Sequence, residues 1–371
     1  MIRLENVTRK YGETTAVNGL SIEINEGEVC VLIGPSGCGK TTTLRMVNRL
    51  IEPTSGSIFI DNRDTGGIRP EQLRRTIGYA IQSVGLFPHM TVASNIAVVP
   101  RLLNWEKEAV ENRVEELLRL VNLDPGEYSL KYPGQLSGGE AQRIGVARAL
   151  AADPPILLMD EPFGAVDPLT RERLQAQFIR IQDELKKTVI LVTHDLDEAI
   201  RLADRIAIMD SGKLVQYDTP EIILSNPANR FVHDFVGADR ALKRLSRIPI
   251  TDYIRKVPVV LLTADKESAA SVIGNRPSVW VTDENGMLVG WLTGDDLAAG
   301  SSVGEATTRG NIEEICVQTT STLREALSRM LGQGMKNIPV VNEAKNFIGE
   351  VTLSEIEAAT AEIGNAGNEK E

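Results

Sequence analysis

The eight residues from Gly34 to Thr41 read GPSGCGKT and fit the spacing G-x-x-x-x-G-K-[ST]. Glycines at this spacing let backbone N–H groups turn toward a phosphate, and the helix that follows adds the positive end of its dipole. Lys40 then reaches the β- and γ-phosphates of a nucleotide, and Thr41 gives a hydroxyl to Mg²⁺. Gly34, Pro35, Ser36, Gly37, Cys38, Gly39 and Thr42 complete the cradle. A second group, ILLMDE from Ile156 to Glu161, sets two carboxylates at the end of an apolar run. Asp160 is suited to Mg²⁺, often through water, and Glu161 to orienting and polarising an attacking water. Acids after a strand are by themselves more often helix caps. Beside the phosphate loop they read as the rest of a hydrolytic site.

Such residues need a rigid sheet behind them. Val29 to Ile33 is a short apolar run that feeds directly into the glycine turn, as a strand entering a phosphate loop must. Ile58 to Ile60, Ile156 to Met159, Val189 to Val192 and Ile206 to Met209 are further strand-like runs with helical patterns between them. Ile2 to Val7 and Leu20 to Ile24 read as edge strands. The alternation predicts an α/β core with a mainly parallel sheet. From about residue 84 to 150 the strand signal vanishes, and Glu108 to Val121 has helical periodicity, so a helical subdomain is expected there. The first domain is read as residues 1–237, followed by a charged linker or connecting helix over 238–250.

Beyond the linker, GWLTGDDL from Gly290 lines up with GEVTLSEI from Gly349, an offset of 349 − 290 = 59 residues. Two copies of this period predict a pseudo-symmetric pair, read as 251–304 and 305–360, with a disordered tail over 361–371. Thr322 and Glu325 form a capping-box pattern ahead of Leu323, Ala326, Leu327, Met330 and Leu331 on one helical face.

The chain has 371 residues, enough for two or three domains. Its 40 basic and 51 acidic side chains leave a net charge of −11, which on average repels nucleic acid and anionic lipid. Cys30, Cys38 and Cys316 form neither a pair nor a ligand cluster with the histidines, so reduced thiols are expected rather than disulfides or zinc. No run reaches the roughly 18 apolar residues that span a bilayer, and the N-terminus lacks a signal-peptide core, so a cytosolic chain is expected.

Leu136 to Glu140 reads LSGGE ahead of AQRIGVARAL, and with it the chain resembles the ABC ATPase family over residues 1 to about 237. The resemblance implies a P-loop NTPase of ABC type with a helical subdomain, hydrolysing ATP with Mg²⁺. It implies that Ser137, Gly138 and Gly139 contact the γ-phosphate held by an opposite copy, so that a homodimer completes the site. Glu140 stands where the family more usually has glutamine. Tyr11 is similar to the aromatic that stacks on adenine, Gln82 to the glutamine that senses Mg²⁺ and γ-phosphate, Asp167 to the loop that touches the partner, and His194 to the γ-phosphate-sensing histidine.

Without fused spans, the chain resembles the separate ATPase subunits of bacterial importers, which pair with membrane permeases and an extracytoplasmic substrate-binding protein. The resemblance implies a peripheral place at the cytoplasmic face of the cell membrane. RMVNRLIEPTSGSIFID, QSVGLFPHMTVASNI and GKLVQYDTPEIILSNPANRFVHDFVG are similar to the quaternary-amine uptake ATPases. Substrate choice would lie in the other chains, so an importer of another small polar solute stays open. Phe87 and Met90 are candidate anchors for a permease coupling helix, with internal packing as the alternative. A soluble ABC ATPase acting on nucleic acid or ribosomes is the competing class. The single ATPase domain, the lack of a coiled-coil insertion and the acidic balance disfavour it.

The C-terminal repeat resembles a tandem CBS (α+β) pair, a module that often binds adenine-containing ligands. Thr293 with Asp296 fits its ribose-contacting pattern, and Thr352 with Glu355 approximates it. The alternative is a purely structural pair held by Trp280, Trp291 and the helix from Leu323.

Overall fold

The computed structural model describes residues 1–81, 85–164 and 166–365, with side chains as far as 360. It divides into two compact units, Met1–Val236 and Gly237–Glu371.

In the first unit the strands are β1 (Ile2–Tyr11), β2 (Thr14–Ile24), β3 (Val29–Ile33), β4 (Ser55–Ile60), β5 (Arg63–Asp64), β6 (Ile77–Ala80), β7 (Ile156–Asp160), β8 (Thr188–Val192), β9 (Arg205–Asp210) and β10 (Lys213–Asp218). Six of them form one sheet in the order β10-β9-β3-β8-β7-β6, parallel except for β10 on β9. Alternate residues of β3 enter opposite cores: Val29, Val31 and Ile33 face one, Cys30 and Leu32 the other. That double burial explains why β3 is an unbroken apolar run. A separate antiparallel sheet has the order β2-β1-β4-β5. β1 is therefore internal, pairing with both β2 and β4, which corrects its reading as an edge strand; β2 does lie at an edge.

The expected helical subdomain is present as helices Val92–Ile96, Val98–Leu102, Lys107–Leu120, Pro125–Tyr128 and Gly138–Leu150. Thr91, Asp124 and Ser137 cap three of them by accepting a backbone N–H. Residues 92–150 also supply Val92, Ile96, Leu117, Leu118 and Ile144 to the same core that β3 enters through Val31, so the subdomain is anchored to the sheet.

The second unit holds β11 (Val260–Leu261), β12 (Val279–Thr282), β13 (Leu288–Leu292), β14 (Val317–Gln318), β15 (Asn337–Val341) and β16 (Phe347–Thr352) as two three-stranded sheets, β11-β12-β13 and β14-β15-β16. The 59-residue offset holds at the level of register, since Val281 pairs with Gly290 and Val340 with Gly349. Both glycines are required by close approach. A Cβ at Gly290 would lie 2.2 Å from Thr308 O, and one at Gly349 would lie 2.4 Å from Arg255 O.

That second contact redraws the domain boundaries. The stretch read as a linker contains helix Arg240–Leu245, and Leu245 and Ile250 are buried in the core of the second repeat. Ile250 N donates to Ser321 O at 3.1 Å and Arg255 N to Glu350 O at 2.8 Å. Residues 240–255 therefore complete the second repeat, while Val303 and Ala306 close the first. The final helix, Leu353–Asn365, carries ordered backbone five residues past the expected start of the tail. On helix Leu323–Gln333, Leu323, Ala326 and Met330 are buried as the pattern predicts, but Leu331 is 72% exposed.

Candidate functional site

The phosphate loop leaves β3 and enters helix Lys40–Val47. Gly39 has φ +104°, and a Cβ there would sit 2.4 Å from Ala16 O, so only glycine fits at the helix entrance. The Lys40 amine is buried, donating to Gly34 O at 2.7 Å and Pro35 O at 3.0 Å. It holds the loop in shape through carbonyls that a phosphate can replace as its partner. Ser36, Gly37, Gly39, Lys40, Thr41, Thr42, Glu161 and His194 line one cleft of about 300 Å³. Thr41 and Glu161, 120 residues apart in the chain, thus line the same cleft.

Asp160 ends β7 and is 4% exposed. Burial pushes its carboxyl above the usual range, while the Thr41 hydroxyl, donating at 3.0 Å, and Arg45 pull it back. Two oxygen donors at this separation fit Mg²⁺, which keeps several waters and completes its shell with substrate phosphate. Glu161 follows with φ +47°, a left-handed conformation that costs about 1–2 kcal/mol and that a residue before proline otherwise avoids. Its N–H donates to Val192 O at 2.9 Å, which joins β7 to β8 just before the two strands deliver Glu161 and His194 to the cleft. His194 Nδ1 lies 3.3 Å from Glu161 Oε1.

Sequence reasoning missed the support behind His194. Thr193 donates to Glu198, which is 5% exposed and also accepts from Gln175 at 3.3 Å. Burial raises the Glu198 carboxyl, and these donors oppose the rise. The signal was faint, a threonine and a glutamate five residues apart across a turn. Asn95 was missed as well. It is fully buried and holds the 87–91 loop, accepting from Phe87 N at 2.7 Å and donating to the carbonyls of Phe87, Met90 and Thr91 at 3.0–3.2 Å. Phe87 is 40% exposed and Met90 half-buried. Arg148 donates to Gly85 O at 2.6 Å and lies 6.0 Å from the Phe87 ring centre.

Ser137, Gly138 and Gly139 open helix Gly138–Leu150 outside the cleft of Lys40. Ser137 and Glu140 form a reciprocal capping box, and Glu140 is held down to about 2, first by the Tyr128 hydroxyl and then by Ser137 N–H. Asp167 caps the next helix, Pro168–Leu185, and Thr170 holds its carboxyl below the usual range. Tyr11 ends β1, 45% exposed, with the Arg9 guanidinium 4.4 Å from its ring centre, and it does not line the cleft. Gln82 lies outside the described residues.

In the second unit, Thr293 Oγ donates to Asp296 at 2.6 Å, and Thr352 Oγ donates to Glu355 at 2.9 Å. A cavity of about 760 Å³ lies beside Thr352 and Ser354. Arg255, Lys256, Arg276 and Lys336 line it together with Trp280 and Glu350; Thr293, Asp296 and Glu355 do not. Trp280 N–H donates to Glu350 at 2.6 Å, and Asn337 donates to the same carboxylate at 2.9 Å.

Residues 17–164 match the family model described as ABC transporter, and residues 303–362 match that described as CBS domain. A carnitine transport ATP-binding protein of Listeria monocytogenes is 47% identical over 364 residues, covering 96% of this chain and 91% of that protein. A glycine betaine/carnitine/choline transport ATP-binding protein of Bacillus subtilis is 46% identical, covering 96% and 95%. An osmoprotectant import ATP-binding protein of Salmonella typhimurium is 44% identical, covering 95% and 94%. Among solved structures, the dimeric structure of a bacterial ABC transporter cassette aligns with a TM-score of 0.54 at 36% identity, covering 59% of this chain and 98% of that one. A post-hydrolysis state of the same cassette, bound to ADP and Pi, aligns with a TM-score of 0.54 at 35% identity, again covering 59% and 98%. Among the described residues no helix is long and apolar enough to cross a membrane.

Proposed function

The chain belongs to the ATP-binding subunits of ABC transporters, and on that premise we propose that it energises import of quaternary-amine osmoprotectants such as glycine betaine, carnitine and choline. It is an ABC-type ATPase. The observation that carries the mechanism is that Lys40, Thr41, Glu161 and His194 share one cleft while Ser137 stands outside it. Each chain so bears two half-sites, and two copies arranged head to tail complete both. Lys40 gives up the loop carbonyls and donates to the β- and γ-phosphates. Thr41 and Asp160 would hold Mg²⁺, which would supply charge neutralisation to the phosphate oxygens. Glu161, fixed in its left-handed turn, accepts from the attacking water and aims it at phosphorus. His194 donates toward the γ-phosphoryl oxygens, and Ser137 of the second copy meets the same group from the other side.

Closure is passed to membrane permease subunits through the Phe87–Met90 loop, with a substrate-binding protein delivering solute outside and this chain at the cytoplasmic face. The C-terminal pair regulates activity through the cavity beside Thr352, where Lys256, Arg276 and Lys336 outnumber Glu350 and Glu357 and suit the phosphates of an adenine-containing nucleotide. The reading is tested by purifying the tagged chain from detergent-solubilised membranes and by assaying glycine betaine uptake in hyperosmotic medium. Copurification of a permease and betaine uptake that Lys40→Ala abolishes are expected. Recovery with ribosomes or nucleic acid, and uptake indifferent to Lys40→Ala, would overturn it.

A further inference from the structure

Glu140 uses both of its carboxylate oxygens. Oε2 accepts from Ser137 N–H at 2.7 Å and Oε1 accepts from the Tyr128 hydroxyl at 2.6 Å, while Ser137 Oγ accepts from Glu140 N–H at 3.3 Å. Tyr128 ends the helix Pro125–Tyr128, and that helix packs against Lys107–Leu120. The Lys131 amine lies 3.9 Å from the Tyr128 ring centre and 2.6 Å from Glu127. The phenol is therefore held from behind while its O–H points at the carboxylate.

This arrangement answers a problem set by charge. A helix N-terminus favours an anion, and a bare carboxylate there competes with any phosphate that must approach the same end. With a donor on each oxygen, the Glu140 carboxylate is fixed in one orientation and its charge is partly offset. Ser137 Oγ, its lone pair engaged by Glu140 N–H, has its own proton left to donate outward. A glutamine at this position offers one carbonyl oxygen and an NH2 group in place of two oxygens, so in this geometry one of the two donors would face another donor.

We propose that Tyr128 is a positioning residue for the signature serine, acting through Glu140 to fix Ser137 with its hydroxyl proton available to a phosphoryl oxygen held by a second copy of the chain. The proposal rests on the reading that Ser137 completes the partner's site. Tyr128 touches no substrate. Its effect is to pre-order a donor that would otherwise sample several rotamers, and to offset part of the carboxylate's charge. Because Glu140 stays ionised down to about 2, the effect is constant across neutral pH.

The test is steady-state ATPase of the full-length protein as wild type, Tyr128→Phe, Glu140→Gln, the double variant and Ser137→Ala, with thermal midpoints for each. Tyr128→Phe is expected to lower kcat about tenfold, the order of one charge-assisted hydrogen bond, with KM for ATP almost unchanged. In the Glu140→Gln background the same change is expected to cost less than about twofold, because no charge is left to hold. Equal losses in both backgrounds, or a loss that follows a lowered thermal midpoint, would mean a structural role and overturn the proposal. So would wild-type turnover in Tyr128→Phe alongside a dead Ser137→Ala. Wild-type turnover in Ser137→Ala would instead remove the signature reading on which the proposal stands.

Discussion

Asp160→Asn should make the nucleotide-free protein more stable while ending catalysis. The Asp160 carboxyl is 4% exposed, and burial raises it above its usual value; Thr41 supplies the hydrogen bond seen at 3.0 Å. An acid raised in the folded state adds stability that is present below its unfolded value, roughly pH 4, and lost as pH rises through the folded value. At neutral pH the fold therefore carries a buried charge with too few partners. An amide keeps the size and can still accept from Thr41. Relief of one under-solvated carboxylate is worth about 1–2 kcal/mol, after allowing for that retained bond. In a domain of this size this raises the thermal midpoint by roughly 2–8 °C. Differential scanning fluorimetry checks it in two arms. Without nucleotide the variant melts higher, and its advantage shrinks as pH falls toward the folded value. With ATP, added Mg²⁺ raises the wild-type midpoint by mass action but adds little to the variant. A variant that melts lower than wild type at neutral pH, or that gains as much from Mg²⁺, would refute the reasoning.

Asn95→Ala strips the 87–91 loop of four hydrogen bonds, at a local cost of about 2–3 kcal/mol. Copurified permease should fall while ATP binding, read by fluorescent nucleotide titration, persists; unchanged assembly would show that the loop does not dock. Thr193→Val removes the donor to Glu198 and the acceptor for Asp195 N–H at 3.1 Å, so kcat should drop about tenfold with KM little changed, one hydrogen-bonding group's worth of positioning. Truncation after Val236, the last residue of the first compact unit, should leave hydrolysis intact and abolish any response of the assembled transporter to an adenine dinucleotide or to ionic strength. Equal responses in truncated and full-length complexes would show that the C-terminal pair does not regulate.

The phosphate loop and the carboxylate strand were legible because each joins a rigid apolar strand to polar residues whose spacing serves a single chemistry. The doubly buried β3 and the first four residues of β7, Ile156 to Met159, leave no polar residue to break the run. β6 and β10 were not legible. Ile77–Ala80 spends one of its four positions on Gly78, where a Cβ would lie 2.3 Å from Ala149 O, and Lys213–Asp218 is a half-exposed antiparallel edge. The repeat offset was right to the residue, yet the boundaries were not. The sequence pattern shows where a strand lies but not which repeat it completes, so residues 240–255 read as a linker although they belong to the second core. Asn95, Thr193 and Glu198 were invisible for another reason: their importance rests on burial and on carbonyls brought near by the fold.

Hydrolysis by two copies sharing two sites is tested most directly by Glu161→Gln. The substitution removes the carboxylate that acts on water and leaves Lys40, Thr41 and Asp160 in place, so ground-state nucleotide should still bind. Size-exclusion chromatography with light scattering on the full-length variant should show a stable dimer with ATP and Mg²⁺, no such ATP-dependent shift with ADP, and turnover lowered at least about a hundredfold. Near wild-type turnover, or a species unchanged by ATP, would contradict the assignment.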